Sequence, residues 1–192
     1  MPLDDAEVMR RVQAGQLELF EELVRRYRGA LVRVAASKLG DAALAEDAVQ
    51  ETFLAVFTAR DTYDSRFAFR TWLWTILLNV CRRQLKRRQR VPRVLARSAV
   101  EGADGHVPDP ESLESGLTHA LSAERREVLA ALLAELPEAQ ADALRLRFFG
   151  GLKFEEIAAA MPCSLSAAKV RVKQGLLRLA ERLRDDADGE RE

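Results

Sequence analysis

The chain is poor in the residues that support metal sites and disulfide frameworks. Its 192 residues include two cysteines and two histidines. Cys81 and Cys163 lie far apart, with neither a C-x-x-C spacing nor a paired histidine, which argues against a zinc site and against a disulfide framework. His106 and His119 have no carboxylate or nucleophile nearby at a spacing that suggests catalysis, so we interpret both as solvated residues.

Long apolar runs, strict two-residue alternation and a signal-peptide pattern are also absent. No apolar stretch reaches the roughly 18 residues of a membrane-spanning helix, although 48% of all residues are hydrophobic. Apolar residues recur at helical spacing nearly everywhere. We therefore expect an all-α protein that is soluble and cytoplasmic.

The chain has no net charge, since 30 basic residues balance 30 acidic ones, but its charges are segregated. Residues 61–100 carry ten basic and two acidic side chains, and residues 143–184 carry nine and three. Residues 101–142, between these blocks, carry two basic and ten acidic side chains. Two basic blocks separated by an acidic one indicate two modules that contact nucleic acid.

Glycine and proline positions divide the chain into two helical modules. Residues 1–89 read as a four-helix unit, in which Gly40 ends one helix and Asp41 caps the next. Residues 90–112 lose their periodicity and read as a flexible interdomain linker. Residues 113–184 form a second helical module, and residues 185–192 an acidic tail.

A helical wheel separates the segment 41–57 into an apolar and an acidic side. The apolar side holds Ala45, Ala48, Val49, Thr52 and Val56, and the other side holds Glu46, Asp47, Gln50, Glu51 and Leu54. An apolar Leu54 framed by carboxylates is typical of a docking surface for a basic partner, although a solvated face with one stray leucine looks the same.

The next helix, from Phe69, carries two apolar stripes and is expected to pack on two sides. The stripes are Phe69, Leu73, Ile76, Leu77 and Val80, and Trp74, Leu78, Cys81 and Leu85. The remaining face holds Trp72, Thr75, Asn79, Arg82, Arg83 and Lys86. Cations neutralise phosphates, an amide can bond a base edge, and an aromatic ring can stack on an unpaired base, so this face suits nucleic acid. Alternatively, Trp72 belongs to the core and the cations are a solvated helix end.

Residues 154–184 have the pattern of a helix-turn-helix motif. A short helix over 154–160 is followed by a turn, and Ser164 can cap a second helix that runs from Leu165 to about Arg184 and can hold a phosphate at its exposed amides. We expect the core-facing residues of this helix to be Leu165, Ala168, Val172, Leu176, Leu179 and Leu183. The residues expected to face outward or flank the helix are Ser166, Ala167, Lys169, Val170, Arg171, Lys173, Gln174 and Arg178. In a major groove, Arg171 can read guanine and Gln174 adenine.

Three segments together resemble a known family. They are DAALAEDAVQETFLAVF, FRTWLWTILLNVCRRQL and LPEAQADALRLRFFGGLKFEEIAAAMPCSLSAAKVRVKQGLLRLAERL. Their order and spacing are similar to regions 2 and 4 of the extracytoplasmic-function (ECF) sigma factors of bacterial RNA polymerase. The resemblance covers most of residues 5–184 and implies a transcription initiation factor, not an enzyme, that needs no metal, cofactor or small-molecule substrate.

The resemblance also implies partners and roles. The acidic helix would dock on the clamp helices of the polymerase largest subunit through Asp47, Gln50, Glu51 and Leu54. The basic helix and the loop before it would bind and melt the −10 element of promoter DNA, with Tyr63, Arg66 and Phe67 as candidates for the pocket of a flipped base. The helix-turn-helix would read the −35 element, and a separate anti-sigma factor would regulate the chain.

The sequence departs from the family pattern in the second module. Lys153 stands where Ser or Thr often caps the first helix of the motif, and Ala167, Ala168 and Val170 stand where larger or polar residues are frequent. The −35 contact is therefore expected to depend more on phosphates and DNA shape than on base readout. A helix-turn-helix regulator that acts without joining the polymerase, a protein-interaction adaptor and a DNA-modifying enzyme remain as alternatives.

Overall fold

The computed structural model describes residues 3–90 and 128–189, and all regular structure in these two ranges is helical. The all-α prediction is therefore confirmed. Most of the predicted linker, the predicted start of the second module near residue 113 and both histidines lie outside the described residues.

The first module consists of four α-helices. They are α1 (Asp5–Gln13), α2 (Phe20–Leu39), α3 (Ala42–Thr58) and α4 (Phe69–Arg90). Short 3₁₀ turns at Leu17–Leu19 and Arg60–Thr62 precede α2 and follow α3. Gly40 ends α2 in the left-handed region at φ 67°, and the Asp41 carboxylate accepts the Leu44 N–H at 3.0 Å. This stop and N-cap are as predicted, because glycine adopts positive φ without a Cβ penalty and aspartate satisfies a free amide.

The second module consists of three shorter helices and one long helix in its described residues. A helix over 128–135, α5, precedes α6 (Glu138–Phe148), α7 (Phe154–Ala160) and α8 (Leu165–Gly189). Ser164 Oγ accepts the Ala167 N–H at 3.1 Å, so the predicted cap of α8 is confirmed. Helix α8 continues past the predicted end at Arg184 into the segment expected to be a tail. Pro137 lies at the N-cap of α6, one position before its first helical residue.

The predicted faces of α3 and α4 are confirmed by burial. In α3, the side chains of the predicted apolar side are all buried, whereas Leu54 is 66% exposed. In α4, both apolar stripes reach the core, with Leu73 and Leu77 buried in one and Trp74, Leu78 and Cys81 buried in the other. The helix is therefore enclosed on two sides, as its sequence predicts.

The predicted core face of α8 is only partly correct. Ala168 and Val172 are buried and Leu179 is partly buried, but three predicted core residues are exposed: Leu165, Leu176 and Leu183. The reason is Gly175, where an added Cβ would lie 2.8 Å from Leu144 Cδ1 on α6. Because α6 approaches the backbone of α8 at this glycine, the contact face is rotated away from the leucines.

The two modules pack against each other through α2 and α4 of the first and α6 and α7 of the second. Trp74, on the second apolar stripe of α4, has no exposed surface and reaches Gly150, where an added Cβ would lie 3.2 Å from its Cη2 atom. The second stripe of α4 thus contributes to the contact with the second module. Phe148, the last residue of α6, is 60% exposed.

Within the ranges 3–90 and 128–189, no helix is both long and apolar enough to cross a membrane.

The close approach at Gly175 makes a testable prediction about stability. Gly175→Val places a branched side chain against Leu144, so we expect the free energy of unfolding to fall by about 1–3 kcal/mol. Ala180→Val is the matched control, because it adds the same residue to the same helix at an exposed position and should change stability by about 0.5 kcal/mol or less. Denaturant unfolding measures both values, and equal losses would show that α6 does not lie against this glycine.

Candidate nucleic-acid and polymerase interface

The predicted docking residues share the solvent-facing side of α3. Asp47, Gln50 and Leu54 are exposed, and Glu51 is partly exposed. The Glu51 carboxylate accepts a hydrogen bond from Arg83 on α4 at 2.8 Å, so it links this face to the basic helix. The surface therefore combines one exposed apolar side chain with carboxylates, and it lies next to the cations of α4.

The loop before α4 is tied down by hydrogen bonds to the rest of the first module. The Gln13 side-chain amide on α1 donates to the Arg60 and Tyr63 carbonyl oxygens at 2.8 and 2.9 Å. Asp64 accepts hydrogen bonds from the guanidinium and then from the backbone N–H of Arg66, and these hold the pKa of the Asp64 carboxyl below its usual value. No local sequence pattern indicates the Gln13 contact, because it joins residues that are 47 and 50 positions apart.

Among the three flipped-base candidates, Phe67 and Arg66 are exposed and Tyr63 is buried. The Tyr63 hydroxyl donates to the Phe67 carbonyl oxygen at 2.7 Å, and burial raises the pKa of this phenol above its usual value. The Tyr63 ring stacks on Trp72, with centroids 5.3 Å apart and an angle of 27° between the planes. Tyr63 therefore supports the loop from below, while Phe67, with 67% of its surface exposed, is the aromatic side chain that solvent reaches.

The polar face of α4 borders an open cleft. Its lining residues are Ile76, Asn79, Arg82, Arg83 and Lys86, and its volume is about 440 Å³. Asn79, Arg83 and Lys86 are exposed, and Trp72 is half-buried at the start of the same helix. The Trp72 ring packs against the core, as the alternative interpretation expects, and keeps an accessible portion. This face can contact phosphates and unpaired bases together.

Two predicted −10 residues contact the second module. Thr75 Oγ1 donates to the Thr71 carbonyl oxygen within α4 at 2.9 Å and lies 3.4 Å from the Ala160 carbonyl oxygen. Arg82 lies 3.3 Å from Glu138 and 3.4 Å from Asp142. Arg70, which is not among the predicted site residues, donates to the Gly150 and Gly151 carbonyl oxygens at 2.7 and 3.0 Å. Only the tertiary structure brings these groups together, because they are about 56 to 85 positions apart.

In the second module, α7 and α8 form the predicted helix-turn-helix. The Glu156 carboxylate accepts a hydrogen bond from the Lys153 backbone N–H at 2.6 Å. A glutamate in the first turn of α7 thus satisfies one backbone amide at the start of the helix, although the Lys153 side chain has no acceptor to cap it. Ser164 is exposed at the start of α8. The backbone N–H groups at a helix N-terminus favour the binding of an anion.

The predicted −35 residues divide between the outer face and the flanks of α8. Ser166, Lys169, Val170 and Lys173 are exposed, and Ala167 and Arg171 are partly exposed. Gln174 Oε1 accepts from Gln140 Nε2 at 3.1 Å, and Arg178 donates to Gln140 Oε1 at 2.8 Å. Gln174 and Arg178 therefore lean toward α6, and bidentate base reading by either would require these bonds to exchange.

The comparisons with known proteins agree with this arrangement. Residues 23–91 match the family described as Sigma-70 region 2, and residues 120–179 match Sigma-70, region 4. The chain is 32% identical over 177 residues to the ECF RNA polymerase sigma-E factor of Escherichia coli (strain K12), covering 88% of this chain and 89% of that protein. It is also 32% identical over 173 residues to the RNA polymerase sigma-H factor of Pseudomonas aeruginosa, covering 88% of each.

Two solved structures have a similar fold. CnrH in complex with the cytosolic domain of CnrY aligns with a TM-score of 0.72 at 24% identity, over 95% of this chain and 98% of that one. The sigma factor RpoE in complex with the anti-sigma factor NepR, from Bartonella quintana, aligns with a TM-score of 0.65 at 25% identity, over 86% and 96%. The chain therefore belongs to the ECF family of RNA polymerase sigma factors and is an alternative sigma factor that directs transcription.

Proposed function

We propose that this sigma factor docks on core RNA polymerase through α3 and opens promoter DNA with the loop 60–68 and α4. Leu54 with Asp47, Gln50 and Glu51 would contact the basic clamp helices of the largest subunit. The observation that supports docking best is the exposure of Leu54 beside carboxylates, on a helix whose opposite side is buried.

DNA opening would exchange base stacking for contacts with protein. Trp72 and Phe67 offer rings, Asn79 offers an amide for a base edge, and Arg83 and Lys86 offer cations for phosphates. This exchange needs no bond cleavage, so we propose that the chain itself catalyses no reaction and requires no metal or cofactor. It would act in the cytoplasm, where its polymerase partner works.

The second module would position the −35 element on α8. Ser164 and the first amides of α8 would hold a phosphate, and Lys169 and Lys173 would contact the backbone. Since the structural relative RpoE binds an anti-sigma factor, we propose that an anti-sigma factor also regulates this chain.

Run-off transcription with purified core polymerase tests the function as a whole. Promoter-specific initiation that depends on this chain is expected. Binding to promoter DNA without any effect on initiation by core polymerase would instead support a regulator that acts outside the polymerase.

The docking surface predicts the effect of a single charge. Leu54→Arg should weaken association with core polymerase by about tenfold or more while the unfolding transition stays unchanged, because Leu54 lies outside the core and the new cation would face basic helices. Leu17→Arg, at another exposed leucine, is the control and should bind normally. Glu51→Lys is less suitable, since it would also place a cation beside Arg83. Loss of folding in Leu54→Arg would contradict the surface assignment.

The exposed position of Asn79 predicts that its substitution impairs promoter melting without impairing recruitment to the polymerase. Because its amide is exposed in the α4 cleft and bonds only weakly to Arg82 at 3.4 Å, Asn79→Ala should fold and bind core polymerase normally. Open-complex formation should decrease, and a template already melted around the −10 element should recover part of the loss. Equal defects on duplex and pre-melted templates would place the role of Asn79 elsewhere.

On α8, base reading and phosphate contact predict different outcomes. Arg171→Ala should cost about 1–3 kcal/mol and relax discrimination at one or two −35 base pairs. Lys173→Ala should weaken binding to all sequences alike and reduce the salt slope by about one. A scan of −35 sequences measures both, and strong base preferences that survive Arg171→Ala with Gln174→Ala would contradict this reading face.

A further inference from the structure

A network of three polar side chains links α6 to α8. Gln140 on α6 is 8% exposed, and it lies between two exposed residues of α8, Gln174 and Arg178. Gln140 Oε1 accepts a hydrogen bond from Arg178 Nη1 at 2.8 Å, and Gln140 Nε2 donates to Gln174 Oε1 at 3.1 Å. The close approach of the helices at Gly175 makes this possible, since a Cβ added there would lie 3.6 Å from Gln140 Cβ.

Arg178 determines the direction of both hydrogen bonds in this network. A guanidinium only donates, so the atom of Gln140 that faces Arg178 must be its oxygen. The NH₂ group of Gln140 then faces Gln174, and the atom of Gln174 that receives its hydrogen must also be an oxygen. Because the donor at one end cannot accept, only one orientation of the two amides satisfies every bond.

The reverse orientation of Gln174 is unfavourable. Turning this amide alone would place its NH₂ group against the NH₂ group of Gln140, so two donors would face each other. Turning both amides would move the same conflict to Arg178. Gln140 is nearly buried, and a buried polar group that loses its partner carries the cost of its lost hydration. The network therefore holds the Gln174 oxygen toward α6.

The free part of the Gln174 amide is consequently a donor. Among residues 3–90 and 128–189, no group accepts a hydrogen bond from Gln174 Nε2, whereas Oε1 is bound. The bidentate adenine contact expected from the sequence needs the oxygen and the nitrogen side by side at the base. In the major groove, guanine and thymine present a carbonyl oxygen where adenine and cytosine present an amino group. An outward NH₂ group matches the carbonyl bases.

We propose that Gln140 is a positioning residue that makes Gln174 a hydrogen-bond donor toward the −35 element, so that Gln174 selects guanine or thymine instead of adenine. Gln140 touches no DNA and acts only through Gln174. Arg178 keeps its other N–H groups for a phosphate, so the network is compatible with a backbone contact at the same helix. This inference rests on the proposed role of α8 in reading the −35 element.

The test reverses the network by replacing one NH₂ group with an oxygen. In Gln140→Glu, the new carboxylate accepts from Arg178 and has no hydrogen to donate, so Gln174 must turn its NH₂ group toward α6 and its oxygen toward DNA. Gln174→Glu places an oxygen toward DNA directly. Ala139→Glu is the matched control, because it adds the same charge at the neighbouring exposed position, outside the network.

Binding-site selection measures the base preference. Holoenzyme reconstituted from core polymerase and each full-length variant selects sites from a duplex DNA pool with a randomised window, and the bound DNA is sequenced. Gln174→Ala identifies the base pair that Gln174 contacts, because the preference is lost there.

At this base pair the two glutamate variants should agree. We expect Gln140→Glu and Gln174→Glu to favour the same base by about fivefold. That base is adenine or cytosine, on the strand where the wild-type protein favours guanine or thymine. Ala139→Glu should keep the wild-type preference, although its added charge weakens binding to all sequences.

The contrary outcomes are distinct. A wild-type preference equal to that of Gln174→Glu would show that the Gln174 oxygen faces DNA, and it would overturn the inference. Any preference in Gln140→Glu other than that of Gln174→Glu, or none, would overturn it as well. If circular dichroism shows that Gln140→Glu does not fold, Gln140→Met replaces it. Without an amide at position 140 both orientations of Gln174 become available, so adenine should gain, and an unchanged preference would overturn the inference.

Failure of the proposed function gives a different result. A selected motif that neither Arg171→Ala nor Gln174→Ala changes would contradict the role of α8 at the −35 element. A motif that changes in Gln174→Ala but keeps the wild-type preference in Gln140→Glu would overturn only the role of Gln140.

Discussion

The enclosure of α4 on two sides is the constraint on which the arrangement of the molecule depends. One apolar stripe, which includes Leu73 and Leu77, packs into the first module, and the other brings Trp74 against Gly150 of the second. With both sides occupied, only a polar strip of the helix remains for a ligand. Asn79, Arg83 and Lys86 lie on that strip, so the same packing that stabilises the helix limits where the proposed nucleic-acid contact could form.

Aromatic stacking and short hydrogen bonds hold the entrance of α4 in place. Tyr63 stacks on Trp72 and contacts Phe69 edge-on, and Gln13 fixes the backbone of the loop at two points. Tyr63, which the sequence suggested as a base-binding group, thus supports the neighbouring Phe67. A pocket for a flipped base benefits from such support, because a loop that is already ordered loses less entropy on binding.

Electrostatics serves two purposes in this chain. The exposed cations of α4 and α8 lie on surfaces suited to phosphate, where each contact is screened by salt. Asp142 is buried with two of its ion-pair partners, Lys38 at 2.7 Å and Arg145 at 3.3 Å. Inside the protein an unpaired charge is strongly unfavourable, and salt screens the attraction between charges only weakly. Burial lowers the pKa of the Arg145 guanidinium, and the hydrogen bond from Lys38 lowers the pKa of the Glu138 carboxyl. The module contact therefore depends on charge matching, whereas the surface proposed for DNA depends on charge density.

The sequence by itself determined the helices, their caps and the faces of α3 and α4, because these follow from local periodicity and from single residues such as Gly40, Asp41 and Ser164. It also determined the family, through the order and spacing of three segments. The core face of α8 depended on Gly175, whose effect is visible only once α6 lies against it. The Lys38–Asp142 pair joins residues 104 positions apart, and Tyr63 is buried by contacts that no local pattern encodes. Only the tertiary structure decided these features, because they depend on which surfaces meet, and helical periodicity specifies a face without specifying its partner.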